Sequence, residues 1–106
     1  MTTVRQTPRF KRHLKILPER LRITQEEAKI AVEEIISAIE ILEGHGTLPE
    51  ELGYQLHNLE DAPWKGYLEF HALDDVLVIY AEVTKKNLIK LRGIYNHELL
   101  NSGKLD

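Results

Sequence analysis

Three runs rich in sheet-forming residues, at about 66–73, 76–83 and 88–95, follow one another with only Asp74-Asp75 and Thr84 to Asn87 between them. Connections that short join hairpin partners, because a parallel return needs a crossover of a dozen or more residues; the runs predict a mostly antiparallel sheet. Period-2 alternation then distributes the side chains over two faces. One face receives Leu68, Phe70 and Ala72, then Leu77, Ile79, Ala81 and Val83, then Ile89 and Leu91. The other receives Tyr67, Glu69 and His71, then Tyr80 and Glu82, then Lys90 and Arg92. Solvation accounts for the charges on that second face. It accounts less well for two tyrosines and a histidine beside an arginine.

The apolar face needs a cover, and the N-terminal half supplies helices for it. Thr7-Pro8 has the form of a helix start, with Phe10, Leu14, Leu17 and Leu21 following at helical spacing and Pro18 placed to stop or kink the helix. Arg9, Lys11, Arg12 and Lys15 occupy its opposite side. In the second helix Thr24 and Glu27 form a capping box, Ala28, Ala31, Val32, Ile35, Ile39 and Leu42 recur with a 3.6-residue period, and Gly44 and Gly46 end it. Its wet stripe is Glu26, Glu33 and Glu40. Ile30 and Ile41 fall away from the core stripe, either as incidental exposure or as a surface that a partner covers. The segment "TTVRQT" before the first helix reads as an edge strand.

A chain of 106 residues closes one core and not two, so residues 1–106 are read as a single domain. Cysteine is absent, which removes disulfides and thiolate metal sites and fits a reducing compartment, with the cytoplasm as the expected location. Charges interrupt every apolar stretch before the roughly 20 residues of a membrane span, and "MTTVRQTPRF" has no apolar signal core, so neither insertion nor export is expected. The net charge of −3 argues against a general nucleic-acid binder, yet it hides a division. Residues 1–22 carry seven Lys or Arg against one acid, residues 23–51 one against eight, and residues 52–106 six against eight. A basic N-terminal element therefore precedes an acidic helix, which is either two solvated faces or a basic binding surface.

His57 in the loop before Trp64, Asp75 at the hairpin and His97 just past the last strand complete the set of candidate groups. Strands bring their ends together, so a site holding three imidazoles with Arg92 is geometrically reasonable, although a lone histidine is more often an ordinary surface or hydrogen-bonded residue. Two chemistries suit such a set. In one, a neutral imidazole takes the proton of an RNA 2′-hydroxyl and a protonated one supplies a proton to the leaving 5′-oxygen, both forms existing near neutrality because the reference value is about 6.5. Arg92 then holds the phosphate with its planar fork, and Trp64, Tyr67, Tyr80 or Tyr95 offer stacking surfaces. In the other, three histidines hold Zn²⁺ with water in the fourth position, although no local signature such as His-Glu-x-x-His supports it.

The stretch "LPEELGYQLHNLEDAPWKGYLEFHALDDVLVIY" followed by "LRGIYNHELL" resembles the RelE-like toxins of bacterial toxin–antitoxin systems, and within them the YafQ branch. The likeness rests on the Leu-Pro start, the loop His, Trp-Lys-Gly-Tyr, a His seven residues after the Trp, an Asp four beyond it, and a late Arg and His. It covers residues 48–100, while residues 7–43 agree only as two helices of the expected kind. The resemblance implies a two-layer α/β (α+β) fold, two N-terminal helices on a mostly antiparallel sheet of three to four strands. It implies an endoribonuclease that cuts messenger RNA in the ribosomal A site without cofactor or metal, with the RNA's own 2′-hydroxyl as nucleophile, and that a co-expressed antitoxin silences. Carried over by position, His57 matches the loop histidine proposed as base, His71 the strand histidine, Asp75 the hairpin acid, Arg92 the phosphate-binding arginine and His97 the late histidine proposed as acid. Trp64, Lys65, Tyr67, Tyr80, Lys90 and Tyr95 are the expected substrate-binding residues.

Several positions depart from the family pattern. Leu68 stands where relatives usually carry a basic residue, Val76 where they carry Trp, and Leu99, Leu100 and Asn101 where an aromatic follows the late His. The loop "HNLEDAP" is acidic, and one extra residue separates Arg92 from His97. The departures leave room for a second reading, a catalytically weak or idle RelE-like module that acts by binding its antitoxin and an operator. In the nuclease reading, the basic helix near residues 9–22 restores affinity by meeting ribosomal RNA.

Overall fold

The computed structural model describes residues 2–48, 57–59, 64–73 and 75–103. The side chains of His57, Asn58 and Thr84 lie outside that description, as do Pro49, Asp74 and the acidic loop residues Glu60 to Pro63. The chain begins as strand β1 (Thr3–Gln6) and enters helix α1 (Pro8–Lys15) through Thr7, whose hydroxyl accepts the Phe10 amide at 3.3 Å. Pro18 does interrupt the first helical run. α1 ends at Lys15, and α2 (Leu17–Leu21) starts with the proline in its first turn, where a missing N–H costs nothing. The long helix α3 (Gln25–His45) has both arms of the expected capping box, Thr24 to Glu27 and back, each at 3.0 Å. Such a cap contributes about 1 kcal/mol. Gly46 closes α3 at a left-handed φ of 75° and donates its amide to the Leu42 carbonyl at 2.8 Å.

The sheet contains β2 (His57–Asn58), β3 (Leu68–Ala72), β4 (Val76–Val83) and β5 (Leu88–Tyr95), and a last helix α4 (His97–Ser102) follows it. Among the described residues the strand order is β1-β5-β4-β3-β2, four longer strands and one two-residue pairing. β1 runs parallel to β5, and every other neighbour is antiparallel. The fold is the two-layer α/β arrangement that the sequence implied.

The alternation along β4 has the opposite phase to the one expected. Ala72 pairs with Val76, Phe70 with Val78 and Leu68 with Tyr80, so Val76, Val78 and Tyr80 share the helix-covered face, while Leu77 and Ile79 look the other way. The cause is loop length. A two-residue Asp74-Asp75 turn would pair Ala72 with Leu77, but Leu73 has left the strand at a left-handed φ of 52°, and its amide donates to the Glu34 carboxylate of α3 at 2.6 Å. Three residues therefore make the connection, and a shift of one residue in register moves every side chain of the strand to the other face.

The main core lies between helices and sheet. Phe10, Leu17 and Leu21 from α1 and α2, with Ala28, Ala31, Ile35, Ala38 and Leu42 from α3, pack on Phe70, Val78, Tyr80, Ile89, Leu91 and Ile94. Full burial of each large apolar side chain contributes about 1.5–3 kcal/mol. Ile41 also packs on this core, half-buried, and the exposed isoleucines are Ile16, Ile30 and Ile36. A second, smaller cluster of Trp64, Ile79 and Tyr95 sits on the opposite face, roofed by Leu99 and Leu100 of α4. β4 is thus apolar on both sides.

Tyr80 is only 2% exposed in the main core, so it is not a stacking surface for a ligand on the other face. Its hydroxyl is pushed from 10.0 up to about 12, first by burial and then by the charge of Glu82. A folded-state value above the unfolded one leaves stability level below pH 10 and lowers it as pH rises toward 12. Tyr80→Phe should flatten that alkaline loss in urea unfolding measured across the same window. Identical pH profiles for the two proteins would contradict this placement of Tyr80.

Candidate active site

The β3–β4 turn and the end of β5 meet at one corner of the second face. Asp75 Oδ1 accepts the backbone amide of His97 at 3.0 Å and lies 2.5 Å from His97 Nδ1. A carboxylate accepting from Nδ1 fixes the proton on that nitrogen and turns Nε2 away, toward whatever approaches. Both side chains are exposed, as an encounter with a large substrate requires. The ring of His71 lies 5.8 Å from that of His97, centroid to centroid, at an interplanar angle of 43°. Two imidazoles and one carboxylate separated by up to 26 residues in sequence are therefore neighbours. Asn96 caps the helix that begins at His97, its side chain accepting the Leu99 amide at 2.8 Å.

Arg92 reaches the same face by a different device. Ile79 pairs with Gly93 and Tyr80 with Leu91, which leaves Arg92 as the unmatched residue of a β-bulge. Bulges re-aim a side chain without breaking the strand. Leu91 and Ile94 can both face the core, while the Arg92 guanidinium lies 5.8 Å from the centroid of the Tyr67 ring. Its Nε is buried and has no hydrogen-bond acceptor among the described residues. Strand spacings put Arg92 roughly 10 Å across the sheet and roughly 10 Å along it from His71. A half-buried guanidinium with an open donor, stacked on a tyrosine, can receive an oxyanion in its plane.

Glu69 lies between these groups and was not among the sequence candidates. It pairs with Ile79, is 5% exposed, and its Oε2 has no hydrogen-bond donor among the described residues. A buried carboxylate oxygen left open is costly unless a ligand supplies the missing donor. The available signal was position, since Glu69 is two residues from both Tyr67 and His71 on one strand face.

Other expected residues have different tasks. Trp64 is 5% exposed, its Nε1 donates to the Leu100 carbonyl at 2.9 Å, and its ring meets Tyr95 edge-on at 4.9 Å. Tyr95 is fully buried between Trp64 and the guanidinium of Arg20. Neither Trp64 nor Tyr95 has an open ring face, so both pack the second cluster and do not stack on a base. Tyr67 is half-buried, Lys90 is half-buried and Lys65 is exposed. His57 pairs through its backbone with Glu69, and its side chain lies outside the described residues. The three-histidine zinc alternative depends on that side chain. Among the described residues no group of three or more His, Asp and Glu is arranged to hold a metal ion, and no helix is long and apolar enough to cross a membrane.

Comparison with known proteins follows the same geometry. Residues 2–102 match the family model described as the bacterial toxin of type II toxin–antitoxin system, YafQ. Among solved structures, E. coli YafQ from strain BL21(DE3) superposes with a TM-score of 0.65 at 21% identity, over 94% of this chain and 98% of that one. The E. coli DinJ–YafQ complex gives 0.67 at 22% identity, over 94% and 98%. A metal-bound toxin from Helicobacter pylori gives 0.59 at 20% identity, over 92% and 97%. At these identities the superpositions show a shared fold. No curated protein matches in sequence. The family match spans nearly the whole chain, strands and site corner included, and on it this chain belongs to the YafQ family of toxins of bacterial type II toxin–antitoxin systems.

Proposed function

We propose that the chain is an endoribonuclease that cuts messenger RNA on the ribosome, in the A site, by acid–base catalysis. The observation that carries the reading is the corner where His71 and His97 lie ring to ring with Asp75 on the His97 Nδ1. In the reaction an imidazole, His57 or His71, takes the proton of a ribose 2′-hydroxyl. The 2′-oxygen attacks the adjacent phosphorus, and the 5′-oxygen leaves with a proton from Nε2 of His97, giving a 2′,3′-cyclic phosphate and a free 5′-hydroxyl. Arg92 meets the charge that gathers on the phosphate oxygens, and the open Oε2 of Glu69 accepts a ribose hydroxyl. Tyr67 holds the guanidinium in plane, and Lys65 and Lys90 supply positive charge along the strand path of the RNA. The basic side of α1, where Lys11, Arg12 and Lys15 are exposed and Arg9 is half-buried, meets ribosomal RNA. The cytoplasm is where such a substrate is found.

An antitoxin is the second partner, as the family and the E. coli DinJ–YafQ complex suggest. Ile30 and Ile36, 46% and 50% exposed, flank the acidic stripe of α3 and offer it an apolar contact.

Message ends mapped during translation with purified protein should show cuts in phase with codons. His71→Ala and His97→Ala should each lower the cutting rate by about 10² to 10⁴, and neutralising Lys11, Arg12 and Lys15 should weaken ribosome association and flatten its salt dependence. Parental cutting by either histidine variant would remove that residue from the reaction. No cuts at all, with antitoxin binding intact, would favour an idle binding module over a nuclease. Changing Ile30 and Ile36 together to Glu should weaken antitoxin binding in a titration, and undiminished affinity would refute the α3 contact.

A further inference from the structure

β5 loses its strand neighbour halfway along. β1 pairs with it from Thr3 opposite Leu88 to Gln6 opposite Leu91, and the Leu91 carbonyl then accepts both the Thr7 amide at 3.2 Å and the Thr7 hydroxyl at 2.6 Å. There the chain turns into α1. β5 runs on to Tyr95 with no strand on that edge among the described residues. Edge N–H and C=O groups that are buried must find partners elsewhere.

At Ile94 they find side chains. The Ile94 amide donates to His13 Nδ1 at 2.9 Å, and the Ile94 carbonyl accepts from Arg20 Nε at 2.7 Å. His13 is 3% exposed, and its ring stands edge-on to Tyr95 with centroids 5.4 Å apart. The Arg20 guanidinium lies 4.8 Å over the same Tyr95 ring. Gly93 completes the wedge, since a Cβ there would come within 2.8 Å of Tyr95 and 2.9 Å of His13 Cε1. Nδ1 can accept only when it carries no hydrogen, so the ring proton of the neutral form sits on Nε2.

We propose that His13 and Arg20 are positioning residues: a side-chain substitute for a missing strand that fixes the end of β5, and with it Arg92 two residues before Ile94 and His97 three residues after. The inference rests on the reading of Arg92 and His97 as groups of the nuclease site. A bulged strand end with one edge unpaired opens easily. A misplacement of about 1 Å at reacting groups is enough to cost about 10² in rate.

His13→Leu fills the space without an acceptor, whereas His13→Asn restores an oxygen near the position of Nδ1. Amide exchange at Ile94, and the amide resonances of Arg92 and His97, are to be read by NMR for the parent and both variants, alongside the kinetics of message cutting. Ile35→Val, a core trim in α3, is the control for lost stability. The expected result is Ile94 exchange about tenfold faster in His13→Leu, shifted Arg92 and His97 resonances, and kcat lower by about 10² with KM little changed. His13→Asn should recover all three, and Ile35→Val should cut like the parent. Unchanged Ile94 exchange in His13→Leu would overturn the strand substitute, and faster exchange with parental kcat and unmoved Arg92 and His97 resonances would overturn the positioning role. If the parent itself does not cut, the nuclease reading fails separately, and the resonances of Arg92 and His97 alone decide the positioning claim.

Discussion

The Glu34 carboxylate on the Leu73 amide is the contact on which the two faces of this molecule depend. It ties the β3–β4 turn to α3 and holds Leu73 out of the strand, so that Ala72 meets Val76. That register sends Val78 and Tyr80 under the helices and leaves Leu77 and Ile79 for the other side. It also sets Asp75 at the rim, where its carboxylate takes both the amide and the ring of His97. A turn one residue shorter would exchange the faces of β4 and move the acid away from the imidazole.

The second face serves two purposes because its strands are covered unevenly. At one end Trp64, Tyr95, Leu99 and Leu100 close a small apolar cluster, which anchors α4 through the Trp64 bond to the Leu100 carbonyl. Around that cluster lie the polar groups, His71 and His97 at the hairpin corner and Arg92 on its bulge over Tyr67. Strands thus place these side chains on one face, and rigid elements hold a site's groups more closely than loops do. Among the described residues the buried oxygen of Glu69 and the Nε of Arg92 are unmet demands for hydrogen bonds on this face. A ribose and a phosphate have the complementary groups.

Local features were legible in the sequence and tertiary ones were not. The Thr7-Pro8 start, the Pro18 break, the Thr24–Glu27 box and the Gly46 stop depend on neighbours within a few residues, and all occur as read. The three strand runs were equally plain. The phase of β4 was not, because "VLVIY" is apolar on both sides and so carries no face signal; only the loop length decides it. Burial of Tyr80 follows from that phase, and burial of Trp64 and Tyr95 follows from a roof, α4, that single-strand alternation does not include. Ile36, and not Ile41, is exposed beside Ile30, since Ile41 leans on the rim of the core. His13 was invisible for another reason. Within "FKRHLK" it reads as one more polar residue of a basic face, and only the missing strand beside Ile94 gives it a task.

The register of β4 is tested most directly by the cross-strand contacts in the β3–β4 hairpin, read as inter-proton distances by NMR in the intact protein. Phe70 should lie opposite Val78 and His71 opposite Leu77, with the Leu73 amide protected by Glu34. Contacts placing Phe70 opposite Ile79 and His71 opposite Val78 would reverse the faces of β4 and contradict it.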